Sequence, residues 1–116
     1  MCSYNALNGV PSCANQFLLR DVLRGAWNFT GYVTSDSGAV EDVYAPHKYR
    51  NFPGPEAVAA CVRAGCDIDS SLDNGFSAGG SPYTWHMTAA RDQGLVTEAD
   101  VDALLTRTLR LRFELG

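Results

Sequence analysis

No apolar run among the 116 residues is long enough to cross a bilayer, and no basic stripe runs along the chain. A spanning helix needs about 20 consecutive apolar residues, so no membrane partner is expected. Nucleic acid binding needs clustered lysine and arginine to neutralise phosphates. With a formal net charge of −4 and scattered acids, no nucleic acid partner is expected either. Internal repeats and low-complexity tracts are also lacking. The four cysteines, Cys2, Cys13, Cys61 and Cys66, form no paired C-x-x-C knuckles, and only His47 and His86 could assist them; no metal site is expected. The opening MCSYNALNG lacks the charged and then greasy profile of a secretory signal. It begins so close to a strand-like motif that upstream residues are expected, which leaves the compartment unassigned.

What is present is an alternation. MCSY is a short strand running into the polar loop NALNGVPSCAN. Asn15 then caps a helix whose Leu18, Leu19, Val22 and Leu23 recur on one face, with Gly25 as its stop. GYVTSD is a second strand, followed by a long loop from Ser37 to about Pro53. The next helix opens with Gly54, Pro55 and Glu56, where proline is tolerated and a negative charge suits the dipole. Val58, Cys61 and Val62 form its buried stripe and Gly65 ends it. CDID is a third strand and SSLDNGFSAGGSPY a third loop. A helix from about Tyr83 to Gln93 stops at Gly94, and Thr97 with Asp100 resembles a capping box. Val101, Leu104, Leu105, Thr108, Leu111 and Leu115 line one side of the final helix, with Arg107 and Arg110 elsewhere. Strand, loop, helix three times over predicts an α/β fold of parallel strands joined by crossovers, with an extra C-terminal helix. The length allows one small domain at most, and three strands do not close a barrel. Cys2 and Cys13 flank a loop and form either one local disulfide or two inert thiols; the pattern leaves both open. Cys61 reads as a small core residue.

In parallel sheets the chemistry gathers at the carboxyl ends of the strands, where Tyr4, Asn5, Asp36, Asp67 and Asp69 fall. Asp36, within VTSDSGAV, is followed by Ser37 and Gly38, which turn the chain without shielding the carboxylate. Locally it reads as a cap for the short helix GAVEDV, or as a nucleophile or base at the sheet's mouth. Tyr4 and Asn5 end the neighbouring strand; one could orient Asp36 and the other bind a substrate hydroxyl, or they are a buried tyrosine and an Asx turn. The acids of DID point to one face, but a lone D-x-D reads as well as strand-end solvation or capping as it does a divalent metal site. His86, beside Trp85 and Met87, reads as a surface or packing histidine. Phosphoryl transfer also uses an aspartate after a parallel strand, but needs neighbouring acids that DSGAV lacks.

Four stretches then carry a resemblance: MCSYNALNGVPSCAN, LLRDVLRGAWNFTGYVTSDSGAV, AVAACVRAGCDID and GLVTEADVDALLTRTLRLRFELG. Together and in this order they resemble glycoside hydrolase family 3, most closely its β-xylosidase branch. The resemblance implies that residues 1–116 are the C-terminal portion of an incomplete N-terminal domain, the last three βα units of a partial (β/α)₈ TIM barrel. It implies that Asp36 matches the catalytic nucleophile and that Tyr4, in the SYN motif, positions it and lines the pocket. Asn5 and Ser3, at the same strand end, would bind substrate. The implied reaction is retaining, double-displacement hydrolysis of a terminal β-linked xylose in the parent enzyme, with no metal and no cofactor. β-Glucosidase and α-L-arabinofuranosidase are the nearest alternatives, and a non-catalytic carbohydrate-binding or structural remnant is the alternative outside enzymes. The implied partners are a β-xyloside or related oligosaccharide, the remaining barrel strands and the parent's second domain. Such a parent suits an extracellular or periplasmic location. The family's acid/base comes from beyond this stretch, and no family motif places Glu41, Glu56, Glu98 or Glu114 in that role, so the chain alone is expected to be inactive. Two departures stand out. Ser37 replaces the cysteine that commonly follows the nucleophile, and DSS at Asp69–Ser71 replaces a DCG-like turn, which bears on the shape of the last loop.

Overall fold

The computed structural model describes residues 1–71 and 81–116; most of the third loop expected from the sequence lies outside these residues. Three segments pair side by side and in parallel, Cys2 with Ser35 and Thr34 with Ile68. Cys2 N–H donates to the Thr34 carbonyl (2.8 Å), and Asp36 N–H donates back to the Cys2 carbonyl (2.9 Å). On the other edge Ile68 N–H donates to Val33 O (3.1 Å) and Ser35 N–H to Ile68 O (2.7 Å). Segment 33–36 is therefore central, with the start of the chain on one side and residues 67–68 on the other. The expected strands MCSY, GYVTSD and CDID are present as parallel pairings in the expected order, but each is reduced to isolated bridges rather than a continuous strand. The two outer segments have one neighbour each among the described residues, and pairing stops where each turns away.

The two-stranded sheet among the described residues lies where the sequence reads as loop. β1 (Ala6–Leu7) and β2 (Val10–Pro11) pair antiparallel. Asn8 (φ 52°) and Gly9 (φ 77°) between them are both left-handed, as a two-residue type I′ turn demands. Beyond the hairpin Asn15 Oδ1 accepts Leu18 N–H at 3.0 Å, the cap expected of it. The helix it opens, Phe17–Ala26, is a π-helix. Gly25 does not stop it: the wider turn carries the Arg20 carbonyl to 3.3 Å from where a Gly25 Cβ would stand, so glycine eases that turn. The helix ends at Ala26, and Asn28, two residues on, is left-handed at φ 54°.

Helix α1 (Gly54–Ala64) forms as its sequence predicts, with proline in the first turn and Gly65 left-handed at its end. Cys66 N–H reaches the Cys61 carbonyl (3.1 Å) and Gly65 N–H the Val62 carbonyl (3.0 Å), the paired bonds of a Schellman motif. Its Ala57, Val58, Ala59, Cys61, Val62 and Ala64 are buried. They pack on α2 (Pro82–Asp92), α3 (Glu98–Leu115) and the 3-10 turn Ser12–Ala14. Val33, Val40, Val43, Cys66, Ala90, Val96 and Leu104 join the same core. A Cβ on Gly54 would collide with the imidazole of His86, which packs edge-on to Tyr44 with ring centroids 5.7 Å apart. His86 is thus a packing residue.

Two expectations about α3 are corrected. Of its predicted stripe only Leu104 is buried; Val101, Thr108 and Leu111 are half-buried, and Leu105 and Leu115 are exposed. Arg107, expected elsewhere, turns onto the sheet and pairs with Asp67. The capping box forms as read. Asp100 N–H donates to Thr97 Oγ1 (3.2 Å) and Thr97 N–H to Asp100 Oδ2 (2.9 Å). Hydrogen bonds from the Thr97 side chain and backbone hold the Asp100 carboxyl below its ordinary value. That contribution is full above pH 3.8 and is lost as pH falls through the lower folded value. Thr97→Ala is expected to cost about 1 kcal/mol, read as a lower urea midpoint at pH 7 and a smaller difference from the parent at pH 2.

Candidate active site

Asp36 stands at the end of the central segment. Its backbone is tied down: N–H to Cys2 O, and carbonyl to Ala39 N–H (3.0 Å). Its side chain accepts the Ser37 N–H at 2.8 Å. The ion pairs among the described residues join Arg24 and Arg107 to Asp67, Arg91 to Asp92 and Arg110 to Glu114; none engages Asp36. The segment GAVEDV forms a 3-10 turn, Glu41–Val43. Its N–H groups are not capped by the Asp36 carboxylate, so the capping alternative has no hydrogen bond beyond Ser37 N–H in its favour.

Tyr4 is brought beside it. Its hydroxyl donates to the Ser37 carbonyl at 2.9 Å, holding the turn that follows Asp36. The phenol is raised above its ordinary value, first by desolvation, then by the neighbouring carboxylate of Asp36 and the charge of Asp42. With a residue exposure of 48%, this is a group at an open rim rather than a buried one. Ser3 and Asn5 turn elsewhere: Ser3 Oγ donates to Asn5 Oδ1 at 2.5 Å, and the Asn5 carbonyl accepts Ser12 Oγ at 2.7 Å. Both are exposed, and their hydrogen bonds secure the hairpin's base rather than Asp36.

His47, isolated in sequence, arrives at the same place. Its Nε2 lies 2.6 Å from the Tyr4 carbonyl, at the end of a loop in which Lys48, Arg50 and Asn51 all have positive φ (46°, 53° and 53°). Non-glycine residues reach that region at a cost of order 1–3 kcal/mol each, so this loop is held in place by its surroundings. Asp42 lies in the same neighbourhood, its carboxyl raised by burial and lowered in part by His47. No sequence signal beyond proximity to Asp36 marked His47.

The acids of DID divide. Asp67 is fully buried, with Arg24 Nη2 and Val33 N–H each 2.7 Å from Oδ2, and Arg107 Nη2 2.6 Å from Oδ1. Burial lowers the Arg24 guanidinium and the Asp67 charge raises it. Asp69 instead accepts, among the described residues, neutral donors only: Ser35, Ser71 and Ser81 hydroxyls and two backbone N–H groups. Both carboxylates are engaged by protein donors, an arrangement that serves structure.

Of the two readings left open for the cysteines, the structure has the bridge, Cys2–Cys13. It ties the first strand segment to the turn after the hairpin. Cys66 Sγ lies 3.6 Å from Cys2 Sγ; burial pushes its thiol up to about 12, and complete burial raises Cys61 well above its ordinary value. Both thiols are unreactive at neutral pH. Among the described residues, clefts of about 350 to 660 Å³ open beside the π-helix and α3, and neither Asp36 nor Tyr4 lines these.

A strand-end aspartate, held at its backbone and without an ion-pair partner among the described residues, lies beside a tyrosine from the adjacent parallel segment at the carboxyl edge of the sheet, the edge where parallel α/β folds gather their functional groups. The sequence model of the Glycosyl hydrolase family 3 N terminal domain matches residues 1–111, and the chain belongs to that family. The exo-1,4-beta-xylosidase bxlB of Emericella nidulans is 43% identical over 122 residues, covering 100% of this chain and 14% of that relative. A probable exo-1,4-beta-xylosidase bxlB of Aspergillus clavatus is 40% identical over 119 residues, again covering 100% of the chain and 14% of the relative. Among solved structures, a GH3 exo-beta-xylosidase in complex with a xylobiose aziridine activity based probe superposes with a TM-score of 0.75 at 38% identity, covering 92% of this chain and 13% of that one. The beta-glucosidase of Listeria innocua superposes with a TM-score of 0.81 at 31% identity, covering 97% and 14%. The chain thus spans about one-seventh of the length of these relatives.

Proposed function

We propose that this chain supplies the nucleophile end of a retaining β-xylosidase, with residues 1–116 forming the last three βα units of a (β/α)₈ barrel domain. The parallel pairing of segments 2, 34–35 and 68, in sequence order with a helix between each pair, supports the barrel assignment. The observation that carries the function is Asp36: a carboxylate at a strand's carboxyl end, without an arginine partner and beside Tyr4. In the reaction Asp36 attacks the anomeric carbon of a terminal β-xyloside, and an acid carried elsewhere in the full-length protein protonates the departing oxygen. Water then displaces the glycosyl ester, giving net retention. Tyr4 holds the nucleophile's turn and offers a hydroxyl at the pocket rim. Ser3 and Asn5, exposed at the same strand end, are the proposed contacts for sugar hydroxyls, reached once their bond to each other opens. No step calls for a metal or a cofactor. The xylosidase relatives favour xylose over the glucose of the β-glucosidase neighbours, which stands as the second reading.

Retention is the test. In the full-length protein acting on 4-nitrophenyl β-xyloside, proton NMR is expected to show β-xylose as the first product, before mutarotation. Initial α-xylose would mean a single displacement and no nucleophile. The isolated 116-residue chain, lacking the acid, is expected to release no nitrophenol above background. Release abolished by Asp36→Ala would show that the site is complete without the rest of the protein.

A further inference from the structure

The turn around Asp36 is held on both sides by the third strand segment. Before it, Ser35 Oγ donates to Asp69 Oδ1 (3.3 Å) and accepts Ser70 N–H (3.0 Å), while the Ser35 carbonyl accepts the Ser70 hydroxyl (2.6 Å). After it, Gly38 N–H donates to Ser71 Oγ (3.0 Å). Asp69 in turn fixes Ser71, its Oδ1 accepting both the Ser71 hydroxyl (2.7 Å) and the Ser71 N–H (3.1 Å). Its other oxygen is anchored by the Ser81 hydroxyl (2.8 Å) and by Tyr83 N–H (3.2 Å) in the first turn of α2. A carboxylate there also suits the positive end of that helix.

We infer that Asp69 and Ser71 are positioning residues for the glycosylation step, setting the Ser35–Gly38 turn and so the aim of the Asp36 carboxylate. This rests on Asp36 being the nucleophile. The hydrogen bond that the Asp36 side chain makes goes to Ser37 N–H, a group of the turn itself, so the direction of the carboxylate follows the turn's backbone. Gly38 sits at φ 86°, where its amide is turned toward Ser71 at the cost of conformational freedom that only glycine readily supplies. Ser71 must donate and accept at once, to Asp69 and from Gly38. A hydroxyl does both, and a methyl group does neither. The serines that stand in place of the DCG-like turn therefore make the connection here through their hydroxyls.

The test uses the full-length protein and a 2-deoxy-2-fluoroxylosyl fluoride probe, with intact mass reporting ester formation. Displacing a reacting group by about 1 Å costs on the order of 10²-fold, so Ser71→Ala is expected to slow maximal labelling by roughly 10- to 100-fold. The probe concentration for half-maximal rate should move less than about 2-fold, because ground-state binding is left intact. Ser71→Thr, which keeps donor and acceptor, should label within about 3-fold of the parent. Should Ser71→Ala fail to fold, Ser71→Cys, close in volume with a weak donor and acceptor, replaces it and should still label more slowly than Ser71→Thr. Labelling of the folded Ser71→Ala or Ser71→Cys variant at the parent's rate, or a threonine variant as slow as the alanine one, overturns the inference. A parent protein that takes no label at Asp36 overturns the nucleophile reading first, and this inference with it.

Discussion

Asp36→Ala in the full-length protein is expected to lower kcat by roughly 10⁴- to 10⁶-fold, the range seen when a nucleophile that acts as part of a unit is removed. The effect should be catalytic rather than structural. The bonds that fix this residue in the fold come from its backbone, N–H to Cys2 and carbonyl to Ala39, and alanine keeps both. The side chain contributes the bond from Ser37 N–H. A thermal melt within a few degrees of the parent, together with the loss of turnover, separates the two explanations. Added azide should restore part of the turnover, because a small anion can attack C1 from the space the carboxylate vacated. The product would be an α-xylosyl azide, its configuration inverted by the single displacement. Loss of activity without rescue, accompanied by a large fall in Tm, would place Asp36 among structural residues.

The largest effect on stability is expected at Asp67. Its side chain is fully buried between Arg24 and Arg107, which are themselves mostly buried, and it also accepts Val33 N–H from the central segment. Asp67→Ala leaves two guanidinium groups facing each other with no counter-charge and one backbone donor without a partner. Breaking such a buried arrangement from one side costs about 3–5 kcal/mol. Replacing all three members with apolar residues of similar size is a different perturbation. Arg24→Met, Asp67→Leu and Arg107→Met together should recover most of that loss, because desolvation of three charges is removed along with their attraction. Recovery should fall short by the unmade bond at Val33 N–H, worth about 1–3 kcal/mol when buried. Urea midpoints of the single and triple variants check this. A single variant as stable as the parent would mean the pair is not buried in solution.

These two residues also mark where the sequence was readable and where it was not. Elements specified within a few residues were legible: the proline start and glycine end of α1, the Thr97–Asp100 capping box, the Asn15 cap. Each depends on bonds between near neighbours, so the local pattern contains the whole cause. The Asn8-Gly9 turn was equally local and its hairpin was open to the same reading, yet the surrounding Gly and Pro residues pointed to loop. Gly25 fits a helix stop in an α-helix, and only the π geometry changes its meaning. The ion cluster is another matter. Arg107 lies 40 residues from Asp67 and Arg24 lies 43, and no periodicity links them; on α3 the arginine looks like any residue off the apolar stripe. The strands were legible as parallel and ordered, but their lengths depend on neighbours, and pairing here is reduced to single bridges. At the candidate site, Asp36 and Tyr4 share a strand-end position that alternation alone predicts. His47 and Ser71 reach it through loops whose course the sequence does not encode locally.

The most direct measurement is peptide mapping of the full-length protein after incubation with 2-deoxy-2-fluoroxylosyl fluoride. The 2-fluorine slows both formation and breakdown of the glycosyl ester, and the good fluoride leaving group restores the first step alone, so the nucleophile keeps the sugar. A mass increase of one fluoroxylosyl group confined to Asp36 is the expected result. An ester on a different carboxylate, in a protein that turns over xyloside, would contradict it.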